Sequence, residues 1–164
     1  MDKQEKQDLI AELKEKFEGA KSELGFGASF EELDAAFFVT DHILHEGFVS
    51  YDFSRQMCSR IRDTLSVWAN YLHSLLMPNP QHMANMTEAK LFNEEGRKEI
   101  WEMLKGAMAL SSENALCGLA KDKKMEAEFI DGAMRFWNEI YKPGLVKIMG
   151  KVSRGWRGEG NVQG

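Results

Sequence analysis

Apolar side chains recur at Leu9, Leu13, Phe17, Ala20 and Leu24, three or four residues apart in an otherwise charged stretch. That period lays them along one stripe of an amphipathic helix. Gly25-Phe26-Gly27 ends it, because glycine readily takes the left-handed conformation that closes a helix. Ser29 with Glu32 three residues later is a capping box, so the pattern predicts a second helix from residue 29 to about Gly47. A third is expected from about Tyr51 to Met77. Its stripe includes Phe53, Met57, Ile61, Leu65, Trp68, Leu72 and Leu75, and Pro78 and Pro80 stop it.

A loop from Pro78 to about Met86 follows, read as a lid or a plain connector, then a short helical turn after Thr87. A fourth helix begins near Asn93, with Glu94 and Glu95 suiting its first turn. Its stripe of Ile100, Leu104, Ala107/Met108, Ser111, Ala115 and Leu119 gives one long helix, or two segments broken at Ser111-Ser112. Residues 121–124 read as a turn. A fifth helix carries Met125, Phe129, Ala133, Phe136, Trp137 and Ile140 until Lys142-Pro143-Gly144 interrupts it, and Leu145 to Met149 forms a last short helix. With no alternating strand run and no internal repeat, the expected fold is all-α. It is a single-domain bundle of about five helices plus a short C-terminal helix over residues 1–150. Gly155, Gly158, Gly160 and Gly164 mark 151–164 as a flexible, basic, disordered tail.

The 164 residues suit one domain with its own core, and ten Phe, ten Met and four Trp supply bulky material for it. No apolar run approaches the ~18–20 residues of a membrane span. The charged opening has no hydrophobic signal segment, so a cytoplasmic protein without a membrane partner is expected. Cys58 and Cys117 lie outside any paired motif and read as reduced, buried thiols. Charge is uneven: residues 1–50 hold 5 Lys against 12 acidic residues, whereas residues 142–164 hold five basic residues against Glu159 alone. An acidic body disfavours broad phosphate binding. Only the tail residues Arg154, Trp156 and Arg157 keep a nucleic-acid reading open, through stacking and phosphate contacts.

Asp41-His42-Ile43-Leu44-His45-Glu46 is the one tight cluster of metal-ligating or proton-carrying types. On a helical wheel continuous from Phe30, Asp41 falls on the core face with Asp34 and His45 on its flank. His42 and Glu46 point outward as a solvated pair. Asp34, Asp41 and His45 are therefore the candidate ligands for a divalent metal, with a further ligand from another helix. Neither Glu-x-x-His nor His-Glu-x-x-His occurs in the chain. A structural account competes: Arg60, on the apolar face of the third helix, would pair with Asp34 or Asp41 in a buried polar cluster. The small inner face around Ser111 and Asn114 is either a close helix contact or a pocket. Trp68, Trp101 and Trp137 read as core, and Arg55, Ser59, Arg62, Ser66 and His73 as a wet face.

Glu99-x-x-Glu102 with Glu128-x-x-Asp131, and Glu12-x-x-Glu15 with Glu31-x-x-Asp34, resemble the magnesium-binding spacing of all-α nucleotide pyrophosphohydrolases. Two hits in one Glu-rich chain show how readily the pattern arises. A turn near residue 122 also offsets Glu102 from Glu128 by roughly 20 Å along antiparallel helices. No cofactor is expected, a divalent metal being the alternative. The favoured function is non-catalytic protein–protein interaction or assembly, with self-association through the acidic first helix. A metal-dependent enzyme or sensor, and nucleic-acid binding through the tail, are the alternatives.

Overall fold

The computed structural model describes residues 2–159, and every regular element among them is helical. The elements are α1 (Lys3–Leu24), α2 (Phe30–Phe37), α3 (Val39–Glu46), α4 (Phe53–Leu76), α5 (Met83–Ala89), α6 (Glu94–Ala120), α7 (Lys123–Phe136) and α8 (Lys142–Trp156). A π-helical turn, Trp137–Tyr141, joins α7 to α8. Among the described residues no helix is long and apolar enough to cross a membrane. Contacts divide the chain into two compact units: residues 1–65 with 110–135, and residues 66–109 with 136–164.

In the first unit α1 buries the expected stripe, with Leu13 and Phe17 almost wholly enclosed. The Phe17 ring meets Phe26 and Phe30 edge-on, at centroid distances of 5.6 and 5.3 Å. Gly25 closes α1 at φ 76°, and the Ser29–Glu32 capping box opens α2. The intervening loop is clamped from α7: the Asp131 carboxylate accepts the backbone N–H of Gly27 at 2.9 Å and that of Ala28 at 3.2 Å.

The predicted second helix is two. Phe38 adopts φ 54°, ψ 48°, closing α2 and opening α3 in one residue. Side chains fix the break. Asp34 Oδ1 accepts the Thr40 N–H at 2.7 Å, satisfying an orphan donor at the start of α3, and Arg60 Nε donates to the Phe37 carbonyl at 2.6 Å. The loop from α3 to α4 is tied by Gln56, whose Oε1 accepts the Ser50 N–H at 2.9 Å while Phe48 and Tyr51 stay outside.

In the second unit Arg97 of α6 donates to the Leu75 and Leu76 carbonyls at the end of α4, at 3.3 and 2.7 Å. α5 begins at Met83, inside the stretch expected to be loop, and the segment from Pro78 is held to the end of α4. Asn85 pins it, accepting the Asn79 N–H at 2.7 Å and donating to the Ser74 carbonyl at 2.9 Å. α6 is one helix through Ser111-Ser112, which settles that alternative. Pro143 does not interrupt the last helix as expected. It lacks the N–H that the Glu139 carbonyl would use, and the chain widens for one turn so that the Lys142 N–H reaches the Trp137 carbonyl five residues back. The helix then continues to Trp156, so 151–156 is ordered helix and not tail. Gly155 approaches Leu91 so closely that a Cβ there would lie 2.6 Å from its Cδ1. Residues 160–164 of the predicted tail lie outside the described residues.

Candidate functional site

The break at Phe38 overturns the predicted metal face. A left-handed residue re-registers α3 against α2, so a wheel continued from Phe30 assigns α3 the wrong inside. Val39 and Ile43 are its buried positions, and Asp41 and His45 are exposed. Asp34 is occupied as the cap of α3. His42 Nε2 lies 3.4 Å from Glu46 Oε1, as expected of a surface pair. No group of three or more His, Cys, Asp or Glu side chains among the described residues is arranged to hold a metal ion.

The proposed Asp34/Asp41–Arg60 cluster does not form either. Arg60 is half-buried as anticipated, but its partner is a carbonyl at the end of α2, where the helix leaves acceptors unsatisfied. Ser111 and Asn114 line none of the clefts described below. Asn114 is buried on the inner face of α6, where its Oδ1 and its carbonyl accept from Arg55 Nη2 at 2.6 and 3.0 Å. Arg55, read as part of a wet face, is thus folded inward; Gly118 leaves room for its guanidinium.

The densest polar cluster is one that sequence reasoning missed, in the first unit. Lys123 Nζ donates to Asp52 Oδ1 at 2.6 Å, to Ser54 Oγ at 2.9 Å and to Glu126 Oε2 at 3.1 Å. The Ser54 hydroxyl donates in turn to Glu126, a buried carboxylate, at 2.6 Å. The residues are far apart in sequence, and only the Lys123/Glu126 spacing hinted at a local pair. A serine beside a lysine invites a nucleophile reading, which requires a neutral lysine to take the hydroxyl proton. Here burial disfavours the ammonium, but its hydrogen bonds to Asp52 and Glu126 outweigh that and hold Lys123 above its ordinary value. A lysine kept protonated is no base, and the hydroxyl is already committed to Glu126. Burial likewise pushes the Cys58 and Cys117 thiols up, away from the thiolate form a nucleophile needs. A cleft of about 520 Å³ adjoins Asp52, Ser54 and Lys123, but its wall toward α1 carries Glu15, Lys16 and Glu23 with no convergent pattern.

The predicted nucleic-acid residues are built into the second unit. Trp156 Nε1 donates to Glu88 Oε1 at 2.9 Å, while the other carboxylate oxygen of Glu88 accepts from Tyr71 at 2.9 Å. Arg154 lies in α8, and Arg157 caps its end.

An apolar concavity lies between α4 and α6 of this unit, a groove of about 480 Å³. Ala69 and Leu104 form its floor, both buried, while Trp101 and Met108 stand at its wall, 50% and 54% exposed. Asn70, His73 and Lys105 complete the rim. Trp101 is therefore surface and not core. The reason is periodicity. Ile100, Met103, Leu104, Ala107, Leu110, Asn114 and Cys117 are the buried positions of α6, separated mainly by threes. A stripe advanced by fours drifts around the helix and wrongly takes in Met108, Ala115 and Leu119. Compared with known protein families, curated proteins and solved structures, the chain matches none of them.

Proposed function

We propose that this chain is a non-catalytic helical protein that binds another protein chain through the α4/α6 groove of its second unit. One observation carries the reading: a half-exposed tryptophan and an equally exposed methionine flank an apolar floor. Tryptophan in such a setting is the residue type that most often dominates an interface, and methionine adapts to an irregular partner surface. The engaged state of Lys123 and Ser54 supports a structural role for the polar cluster of the first unit. The free, buried thiols of Cys58 and Cys117 are in keeping with a cytoplasmic, reducing setting. The acidic first helix no longer serves as the docking element, because its stripe is already buried within its own unit.

The test is a photo-crosslinking amino acid placed at position 101 in cells that produce the protein, with Lys124 as an exposed control position. A discrete crosslinked species at 101, absent at 124 and lost on adding Met108→Glu, is the expected result. No discrete species at 101 would sink the reading.

A further inference from the structure

We infer that the occupant of this groove is a second copy of the chain, joined across a two-fold axis that sets Trp101 of one copy on Met108 of the other. The inference rests on the groove being a binding face and adds the identity of what fills it. Three observations favour self-pairing. Trp101 and Met108 are seven residues apart on one face of α6, two turns of helix, and both are exposed beside the groove. Two α6 helices packed antiparallel about a point between Leu104 and Lys105 bring each tryptophan onto the opposite methionine, twice. That is the self-complementary pattern a two-fold contact requires. Sulfur against an aromatic ring is a favourable contact.

Shape agrees with this pairing. The same patch offers both a wall that projects and a floor that is hollow, so one copy supplies what the other lacks. Charge agrees too. The molecule carries a net charge of −5, so two copies repel at long range. At this rim Lys105 is neutralised by Glu102, 2.9 Å away, and the groove itself holds no carboxylate. The two Lys105 side chains come together beside the axis, each with its own Glu102 to offset the repulsion.

Sedimentation velocity on the full chain over a range of concentrations tests the pairing, with the monomer at 18.7 kDa. The expected outcome is a concentration-dependent dimer, weakened at least about tenfold by Trp101→Glu or by Met108→Glu. Because those charges also act at a distance, a second measurement fixes the geometry. Trp101→Cys protein mixed with Met108→Cys protein should form an intermolecular disulfide under mild oxidation far faster than either variant alone. The natural thiols are buried and contribute little background. A wild-type chain that stays monomeric overturns the inference, and so does a dimer indifferent to both substitutions. If the position-101 crosslink then captures a different chain, groove binding survives and self-pairing fails; if it captures nothing, both fail.

Discussion

Arg60 and Arg97 each spend a guanidinium on backbone carbonyls at a helix end, at Phe37 and at Leu75 with Leu76, whereas Arg55 reaches the carbonyl and the side-chain Oδ1 of Asn114 within α6. Pairing a half-buried arginine with a nearby carboxylate is the natural inference from sequence, yet a helix end offers acceptors that no residue name reveals. Phe38 is the second instance. A bulky side chain at φ 54° costs roughly 1–2 kcal/mol, and half of this one gains nothing from burial. Phe38→Gly should therefore raise stability by about 0.5–1 kcal/mol in urea unfolding. An unchanged or lower midpoint would show that the exposed ring stabilises more than expected. The Asp52–Lys123 contact gives a pH signature. Burial works against ionised Asp52, but the Lys123 hydrogen bond and charge outweigh it, so its folded pKa lies below the ordinary 3.8. Its contribution is present above that value and lost as pH falls through the lower, folded one. Lys123 sits above its ordinary 10.5, so its contribution is complete below 10.5 and lost as pH rises through the folded value. The stability difference between wild type and Lys123→Met should be flat from about pH 5 to 9 and shrink at both extremes.

Elements were legible where pattern and punctuation agreed. The stripe of α1, the capping box of α2 and the stop of α4 before Pro78 all follow from residues within one turn of the boundary. The failures share a cause: each carried one helical frame across a place where the frame changes. At Phe38 a left-handed residue resets it, and at Trp137–Tyr141 a π turn lets the helix absorb Pro143. Along α6 a stripe stepped in fours took the exposed Met108 and Leu119 for inner positions. Helical glycines separate two meanings that sequence alone merges. Nothing lies within 4 Å of a Cβ at Gly19, whereas a Cβ at Gly106 would run into the Phe136 ring. Gly19→Ala should stabilise by about 0.5–1 kcal/mol and Gly106→Ala destabilise by about 1–3 kcal/mol, read from thermal or urea unfolding. Equal effects at the two sites would mean the ring moves aside at little cost.

Over the whole molecule, the all-helical class was readable because hydrophobic period is a local property. The division into two units and the groove were not, because they depend on which stretches come together. Residues 1–65 with 110–135 hold 12 Lys and Arg against 19 Asp and Glu, while the remainder holds 9 against 7. The acidic excess of that unit comes entirely from the first fifty residues, since its remaining stretches hold equal numbers of acidic and basic side chains. Removing residues 1–24 should accordingly unfold the first unit, because Leu13 and Phe17 leave its interior with α1. Circular dichroism would then lose much more helix than the 22 residues of α1 account for. A truncated chain that keeps the rest of its helix would refute that dependence. The loop between α3 and α4 carries a different consequence, one of time. Tyr51 is 94% exposed and Phe48 56%, on backbone held chiefly by the Gln56 side chain. A protease that cuts after aromatic residues meets this loop before it can reach any buried ring, so its first cut times the opening of one loop while the helices remain intact. Gln56→Ala should bring that first cut forward and leave later cuts at their own pace.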